Sequence, residues 1–366
     1  MLFALFVTAL IVTGCSKKNG NTEKIPEKTA PIEEEESITV EESVVHTLTS
    51  DQGKFHFIAD WLTDTSILFV EKDQNKYFLK IFDFETGDIA ILFEDTSVIA
   101  DVKIHPSKEL ILLHTSNNPT SATIKILGLD GILKDEITVE SSELSIEWND
   151  LDPSLILLTA FHQDWTYDVF LYDGKSLDNG FGLIDIGNPF PKWAGKGSIL
   201  TNSLDEHPLD GGSLNIYDLA TDKWIASELT DIVYVDTYEE SILVVRIEDN
   251  ETAHYSITNL DGTVTADWQM PAVSNYSEWI IPEINWVTGN TVILATHDLG
   301  GQLDVLDEPY RLTRVSDGQQ KLLEGNVTPS LLRCSASGER CLTGYSAEIL
   351  INTVTGEEKV WLKLTE

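Results

Sequence analysis

The sequence is poor in positive charge. It carries 24 Lys and Arg against 61 Asp and Glu, which gives a formal net charge of −37. Contacts to phosphate need a basic surface, so nucleic-acid binding is excluded, and an anionic lipid surface would repel the chain as well. The acidic residues are spread over the whole chain, which favours adaptation to a salty or alkaline habitat over a cationic partner or Ca²⁺ as their origin.

Motifs of catalytic chemistry are also missing. The sequence contains no HExxH, DxDxDG, CxxC or GxSxG motif and no glycine loop for phosphate. Aspartate boxes of the sialidase type are absent too; SDQGKF (50–55) is the nearest approach and lacks the aromatic residue. Paired carboxylates for glycoside hydrolysis depend on a separation that only the fold sets, so that alternative stays open. We therefore expect a binding protein rather than an enzyme.

Long runs with apolar residues at helical spacing and a cap at each end are absent, which disfavours α/β folds. What is present is a repeat of strand-like runs that end in turn residues. The seven copies are LKIFDFETG (79–87), TIKILGLDG (123–131), DVFLYDG (168–174), LNIYDLATD (214–222), YSITNLDG (255–262), RLTRVSDG (311–318) and ILINTVTG (349–356). Their spacing of roughly 40–55 residues is typical of propeller blades.

A second marker precedes three of these runs. Trp61, Trp193 and Trp286 are each followed five residues later by Ser or Thr at the start of an apolar stretch. Each unit contains four short stretches rich in β-branched and aromatic residues, as in FHFIADW, SILFVEK, YFLKIFDF and DIAILF of the first unit. This pattern predicts an all-β fold, a β-propeller of seven four-stranded blades, with six blades as the alternative. We expect the three Trp residues to pack between blades.

The first residues predict export. MLFALFVTALIVTGC is an apolar run of signal-peptide length that ends in a lipobox-like VTGC. We expect residues 1–14 to be a lipoprotein signal peptide, residues 15–45 to be a lipidated Cys15 and a disordered acidic tether, and residues 46–366 to be the propeller. No Lys or Arg precedes the apolar run, which leaves the position of the true start open. The alternative for Cys15 is a buried core residue.

Two further cysteines flank a short turn. Cys334 and Cys341 enclose SASGER, and a turn at Ser337–Gly338 would place them opposite each other on a hairpin. Outside the cytoplasm such a pair is expected to be oxidised. Two free thiols are the alternative, and a metal site lacks two further soft ligands nearby.

The VTGC motif, the acidic tether and turns such as IFDFETG and IYDLATD together resemble the YqgU-like propeller lipoproteins of Bacillus-type bacteria. The resemblance implies a lipid anchor on the outer face of a Gram-positive cell membrane. It implies no activity, and that family is described as six-bladed.

Three irregular loops follow the second strands of their units: 160–168, 202–212 and 296–310. In propellers such loops open on one face, where ligands bind, and long loops on a rigid scaffold are a common place for function. The candidate ligand-face residues in them are His162, Asp164, Trp165, Asp205, Glu206, His207, His297, Asp298, Asp304 and Asp307. Convergence of these groups on Zn²⁺ or Ca²⁺ is one hypothesis, with Ca²⁺ favoured near Asp304 and Asp307. The other is that an acidic chain carries such residues by composition alone.

Together these patterns predict a monomeric, lipid-anchored propeller on the extracytoplasmic face of the cell membrane. We expect it to bind a protein or a glycan, with no cofactor, and Ca²⁺ is the one cofactor alternative. The functional alternative is a hydrolase or lyase that acts on a wall or extracellular polymer.

Overall fold

The backbone is built almost entirely of β-strands. The computed structural model describes residues 45–176, 180–204, 209–225, 227–306, 310–327 and 331–366. Within these residues the only helix is a single 3-10 turn, Leu303–Val305. No helix in the described ranges has the length or the apolar character of a bilayer-spanning segment.

Consecutive strands pair antiparallel, and the described residues form seven four-stranded sheets, numbered 1 to 7 along the chain. Sheet 1 contains Phe55–Trp61, Ser66–Asp73, Lys76–Asp83 and Ile89–Asp95. Sheet 2 contains Val98–Ile104, Leu110–Asn118, Ser121–Gly128 and Leu133–Glu140. Sheet 3 contains Glu143–Trp148, Leu155–Phe161, Tyr167–Asp173 and Phe181–Leu183. Sheet 4 contains Lys192–Ala194, Ser198–Leu204, Gly212–Asp218 and Lys223–Ile225.

The remaining sheets follow the same order. Sheet 5 contains Tyr234–Tyr238, Ser241–Ile247, Thr252–Asn259 and Val264–Pro271. Sheet 6 contains Asn285–Thr288, Thr291–Thr296, Tyr310–Ser316 and Gln319–Val327, and sheet 7 contains Leu332–Cys334, Arg340–Thr343, Ile349–Asn352 and Glu358–Val360. Two small sheets complete the fold: a parallel pair of Leu48–Asp51 and Leu362–Thr365, and a three-stranded sheet of Val273–Ser274, Trp279–Ile280 and Gly301–Gln302.

Apolar clusters lie between neighbouring sheets. Alternate residues of each strand face one neighbour or the other, so both faces of a sheet are buried. Each cluster of the described core joins one sheet to the next along the chain, from sheets 1 and 2 to sheets 6 and 7. A further cluster joins Trp61 and Phe84 of the sheet 1 region to Leu350 and Trp361 of the sheet 7 region. The all-β propeller predicted from the sequence is confirmed.

The repeat residues have structural roles that explain their spacing. Ser66, Ser198 and Thr291, which follow the recurrent Trp by five residues, each open the second strand of their sheet. The Trp side chains pack between sheets as predicted, with Trp61 only 1% exposed. Each indole N–H reaches the first strand of the preceding sheet, as the bonds donated by Trp61 to the Arg333 carbonyl (2.9 Å) and by Trp193 to the Glu147 carbonyl (3.0 Å) illustrate.

The sheets expose two different ends of their strands. We call the side with the turns between first and second strands the turn face. The side with the loops between second and third strands, and with the connections from one sheet to the next, is the loop face. The two lie at opposite ends because the strands of each sheet run antiparallel.

The turn face is held by hydrogen bonds between neighbouring sheets. His105 in sheet 2 is 1% exposed, and its Nε2 lies 2.8 Å from the Asn149 carbonyl of sheet 3. The Asn149 amide in turn donates to the Gly195 carbonyl of sheet 4 (2.9 Å), and the Gly195 N–H donates to the Glu239 carbonyl of sheet 5 (2.7 Å). Across the junction of sheets 7 and 1, the Ser337 N–H donates to the Asp64 carboxylate (3.1 Å). These polar groups of the turn face are therefore satisfied by neighbouring sheets.

The Cys334 and Cys341 strands of sheet 7 are paired in the register that the turn at Ser337–Gly338 predicts. The two cysteines are directly opposed, and their sulfur atoms are bonded. Gly338 has φ +70°, in the left-handed region that favours glycine. The hairpin therefore depends on this glycine as well as on the cross-link.

Candidate functional site

Segments of the loop face contact one another from sheet 3 to sheet 6. The connection between sheets 3 and 4 donates from the Asn188 amide to the Asn202 carbonyl (2.9 Å) of the loop 202–212. The connection between sheets 5 and 6 donates from the Trp279 indole to the Leu209 carbonyl (3.0 Å) of the same loop. The three-stranded sheet then joins this connection to the loop 296–310. Two of the loops predicted to form one face, 202–212 and 296–310, are thus linked through the connection between sheets 5 and 6.

The loop of sheet 3 presents an aromatic side chain to solvent. Trp165 is 91% exposed and has φ +66°, an unfavourable backbone conformation for a bulky residue. Its N–H donates to the His162 carbonyl (3.0 Å), which closes a tight turn. Asp164 caps this turn by accepting from the Thr166 N–H and hydroxyl, and these bonds hold the pKa of the Asp164 carboxyl below its usual range.

His162 is oriented by a carboxylate on the next strand. Its Nε2 lies 3.0 Å from the Asp168 carboxylate, and both side chains are partly exposed. A depression of about 460 Å³ opens beside the pair, lined by Ser142, Glu143, Phe161, His162, Gln163, Trp165 and Phe190. Phe190, on the connection from sheet 3 to sheet 4, is 63% exposed, and its ring centroid lies 5.7 Å from that of Phe161. Phe190 is not among the residues predicted from the sequence. Its position on a connection to the loop face would have indicated a place beside the loops.

The loop of sheet 4 contributes less that can be described. The predicted Asp205, Glu206 and His207 lie outside the described residues. Asp210 follows them and is exposed.

The loop of sheet 6 is folded into the small three-stranded sheet. Val273 and Ser274 pair in parallel with Gly301 and Gln302. Asp298 forms an ion pair with Arg311 at 2.8 Å, and Asp304 accepts from the Tyr276 hydroxyl at 3.1 Å, which raises the pKa of that tyrosine. Asp307 lies outside the described residues.

His297 differs from the exposed loop residue that the sequence suggested. It is 5% exposed, and its ring packs against Tyr310 with centroids 4.0 Å apart. Neither ring nitrogen has a hydrogen-bond partner among the described residues. A cavity of about 20 Å³ adjoins it, lined by Pro271, Val273, Ile280, Pro282, Ala295, Thr296, His297 and Tyr310, which is enough space for one water molecule. The connection 271–284 covers this histidine, and no local pattern in the sequence indicates that cover.

The described residues form no cluster that supports the metal hypothesis. In the described ranges, no three His, Cys, Asp or Glu side chains are arranged to hold a metal ion. Asp298 is engaged with Arg311, Asp304 with Tyr276 and His162 with Asp168, so the described candidates act as separate pairs.

A partly buried charge cluster that was not predicted from the sequence lies on the first strands. Lys192 of sheet 4 lies 2.7 Å from the Glu147 carboxylate of sheet 3 and 3.5 Å from the Asp236 carboxylate of sheet 5. These carboxylates raise the pKa of Lys192 against the effect of its burial, and burial raises the pKa of Tyr234 nearby. The Trp286 indole of sheet 6 donates to Asp236 (2.9 Å). The cluster therefore joins sheets 3, 4 and 5 by charge and sheet 6 by the indole hydrogen bond.

Asp150 lies close to this cluster on the turn face. Its carboxylate accepts from the Glu239 N–H at 2.9 Å. Burial raises its pKa to about 6, the Glu239 hydrogen bond opposes the shift, and the negative charges of Glu147, Asp236 and Glu239 add to it. The sequence signal for the cluster is a charged residue directly before a Trp, as in Glu147 before Trp148 and Lys192 before Trp193.

Comparison with known families supports the fold and the lipoprotein class. Residues 83–344 match the family described as "YqgU-like 6-bladed beta propeller domain". The chain is 23% identical over 306 residues to the "Uncharacterized lipoprotein YqgU" of Bacillus subtilis (strain 168), which covers 82% of each chain.

Solved structures show the same fold at low sequence identity. The crystal structure of the uncharacterized protein lmo1340 from Listeria monocytogenes EGD-e superposes with a TM-score of 0.78 at 18% identity, over 87% of this chain and 98% of that one. The β-propeller domain of the Trilobed protease from Pyrococcus furiosus, described as having an open velcro topology, superposes with a TM-score of 0.55 at 14% identity. It covers 86% of this chain and 97% of that one. At these identities the likeness shows the fold alone.

Proposed function

Because the chain belongs to the YqgU-like 6-bladed beta propeller family, we propose that it is a lipid-anchored cell-surface module that binds its ligand through the loop face. The observation that carries the proposal is the contrast between the two faces. On the turn face, His105 and Asn149 bond to neighbouring sheets, whereas the loop face exposes Trp165 and Phe190 beside a depression. Exposed aromatic side chains on a rigid scaffold mark interaction sites.

The path of the first described residues supports this orientation. The His46 N–H donates to the Phe84 carbonyl (2.7 Å), and the Phe84 N–H donates to the Thr65 carbonyl (2.8 Å) in a turn of the turn face. The first described residues therefore join the propeller at the turn face, at the opposite end of the strands from the loop face.

The anchor has a direct test. We expect the wild-type protein to partition into the detergent phase and to be labelled by a radioactive fatty acid in a Gram-positive host. A Cys15→Ala variant should lose the label and collect as precursor or in the medium. A Cys334→Ser/Cys341→Ser variant is the matched control, and it should keep the label. Recovery of unlabelled, uncleaved wild-type protein would contradict the proposal.

The binding face is tested by competitive growth. A strain that carries Trp165→Ala and Phe190→Ala should lose to the wild type as fast as a deletion strain does, at equal amounts of surface protein. Trp224→Ala is the control, because Trp224 is exposed on the fourth strand of sheet 4, away from these loops. Equal fitness of the double variant and the wild type, in a condition where the deletion strain loses, would refute a role for this face.

The enzymatic alternative, a hydrolase or lyase for a wall or extracellular polymer, stays a prediction from the sequence.

We further infer that all seven four-stranded sheets act as blades, although the family description names six. The support is that each sheet shares an apolar cluster with the next and sheet 7 shares one with sheet 1. A chain that ends before Leu331 would expose one wall of both clusters at sheet 7. We expect that variant to be unfolded by circular dichroism and protease digestion, and a stably folded product would favour six blades.

We propose that the Cys334–Cys341 disulfide forms in the exported protein. The two residues are opposed on paired strands, and an extracytoplasmic location favours oxidation. Thiol titration of the unfolded, unreduced protein should find neither sulfhydryl. Two titratable groups from these residues would overturn the proposal.

A further inference from the structure

We propose that the depression beside Trp165 binds an uncharged oligosaccharide chain. The inference rests on the proposed function and names the ligand class of the loop face. We call this depression the Trp165 groove; its lining residues are Ser142, Glu143, Phe161, His162, Gln163, Trp165 and Phe190.

The aromatic residues of the groove provide the apolar surfaces that sugar rings require. Trp165 and Phe190 are 91% and 63% exposed, and Phe161 lies behind them, 5.7 Å from Phe190 between ring centroids. Leaving such rings in water forgoes the favourable free energy of burying each side chain. A ligand with apolar faces can therefore gain binding free energy by covering these exposed rings.

The backbone places the Trp165 side chain outside the fold. Its positive φ is a strained conformation that the His162 carbonyl and the Asp164 cap maintain. Because this turn is formed before a ligand arrives, only the side-chain torsions of Trp165 lose freedom on binding. The turn thus presents the indole to a ligand that can stack on it.

The rim of the groove carries polar groups that have no partner among the described residues. Across the described residues, the side chains of Ser142, Glu143 and Gln163 form no hydrogen bond to another residue, and all three are exposed. They provide a hydroxyl, a carboxylate and an amide beside the aromatic surface. Sugar hydroxyls both donate and accept, so one sugar unit can satisfy such a mixed set while its apolar face stacks on Trp165.

Charge selects among sugar polymers. The chain has a net charge of −37, and Glu143 and Asp164 stand at or next to the groove. Like charges in proximity are repelled, so an anionic polysaccharide or a phosphate-bearing polymer is disfavoured. The volume of about 460 Å³ lies within the range of about 300–1,000 Å³ that is typical of ligand sites. These properties together favour a neutral chain.

Isothermal titration of the full-length chain in detergent micelles tests the proposal. The probes are the hexamer of N-acetylglucosamine, cellohexaose, polygalacturonate and hexalysine. We expect at least one of the two neutral hexasaccharides to bind, and polygalacturonate to give no heat. Trp165→Ala should weaken neutral-sugar binding at least tenfold, Trp165→Phe by less, and Trp224→Ala should leave it unchanged.

Three results would overturn the glycan assignment. The first is the absence of heat with both neutral hexasaccharides, and the second is sugar binding that Trp165→Ala leaves intact. The third is binding of hexalysine, and not of the neutral sugars, that Glu143→Gln abolishes; this would identify a cationic peptide ligand instead. If the glycan assignment fails while the Trp165→Ala/Phe190→Ala strain still loses in competition, the binding module stands with a different ligand.

Discussion

The turn face and the loop face differ in the hydrogen bonding of a buried histidine. On the turn face, His105 has both ring nitrogens engaged, with the Ser107 hydroxyl at 2.9 Å and the Asn149 carbonyl at 2.8 Å. On the loop face, His297 is equally enclosed, and neither nitrogen has a partner in the described part of the chain. An unsatisfied buried polar group costs about 1–3 kcal/mol. The turn face is therefore held by hydrogen bonds between sheets. The loop face encloses an imidazole beside a cavity with room for one water molecule and exposes aromatic surface that stability does not explain.

The largest loss of stability is expected from removal of a Trp that packs between sheets. Trp61→Ala removes a fully buried indole between sheets 1 and 7 and its bond to the Arg333 carbonyl. We expect the free energy of unfolding to fall by about 3–5 kcal/mol in urea denaturation. Trp61→Phe should lose less, because it keeps part of the packing. A loss below about 1 kcal/mol for Trp61→Ala would show that the ring is not held by this contact.

The charge cluster of the first strands should be the next most sensitive. Lys192→Met leaves the Glu147 and Asp236 carboxylates without their shared cation. We expect a loss of about 2–3 kcal/mol, at the low end for a broken buried pair because the side chain is partly exposed. The control is Lys175→Met, which breaks an exposed pair with Asp152 and should cost less than about 1 kcal/mol. Equal effects in both variants would place the cluster among ordinary surface pairs.

The two histidines provide the sharpest test of the contrast between faces. His105→Leu should reduce the free energy of unfolding by about 1–3 kcal/mol, since it leaves the Asn149 carbonyl unpaired. His297→Leu should leave stability unchanged or raise it, because an apolar side chain suits a site where the imidazole has no partner. Thermal and urea denaturation of both variants measure the difference. A strongly destabilised His297→Leu protein would mean that the imidazole is satisfied, for example by bound water.

The raised pKa of Asp150 predicts the direction in which the free energy of unfolding changes with pH. Burial raises its pKa in the folded protein to about 6, above the usual value of 3.8, so the folded state holds the proton more tightly than the unfolded state. Its contribution to stability is present below about pH 4 and is lost as the pH rises through 6. Asp150→Asn should therefore be more stable than the wild type at pH 8, by about 1–2 kcal/mol, and similar to it at pH 4. Equal stability differences at both pH values would contradict the assignment.

Much of the fold was accessible from the sequence because its signals are local. The turn residues after the third strands and the Trp before three of the second strands report on single hairpins, and they lie where the pattern predicts. The apposition of Cys334 and Cys341 follows from one turn in the same way.

The site was accessible only in part because its contacts are non-local. Trp165 lies in a predicted loop, but Phe190 joins it through a connection that carries no motif. His297 was expected on the surface, yet the connection 271–284 covers it through a strand pairing that the sequence repeat does not indicate. Glu147, Lys192 and Asp236 are about 45 residues apart and meet only because consecutive first strands adjoin.

We propose above all that the loop face carries the function and contributes little to stability. Trp165→Ala tests it most directly, since the side chain is 91% exposed and its removal leaves no cavity. We expect its free energy of unfolding to stay within about 0.5 kcal/mol of the wild type, while its competitive fitness, at equal amounts of surface protein, falls toward that of the deletion strain. A variant with unchanged stability and unchanged fitness, in a condition where the deletion strain loses, would contradict the claim.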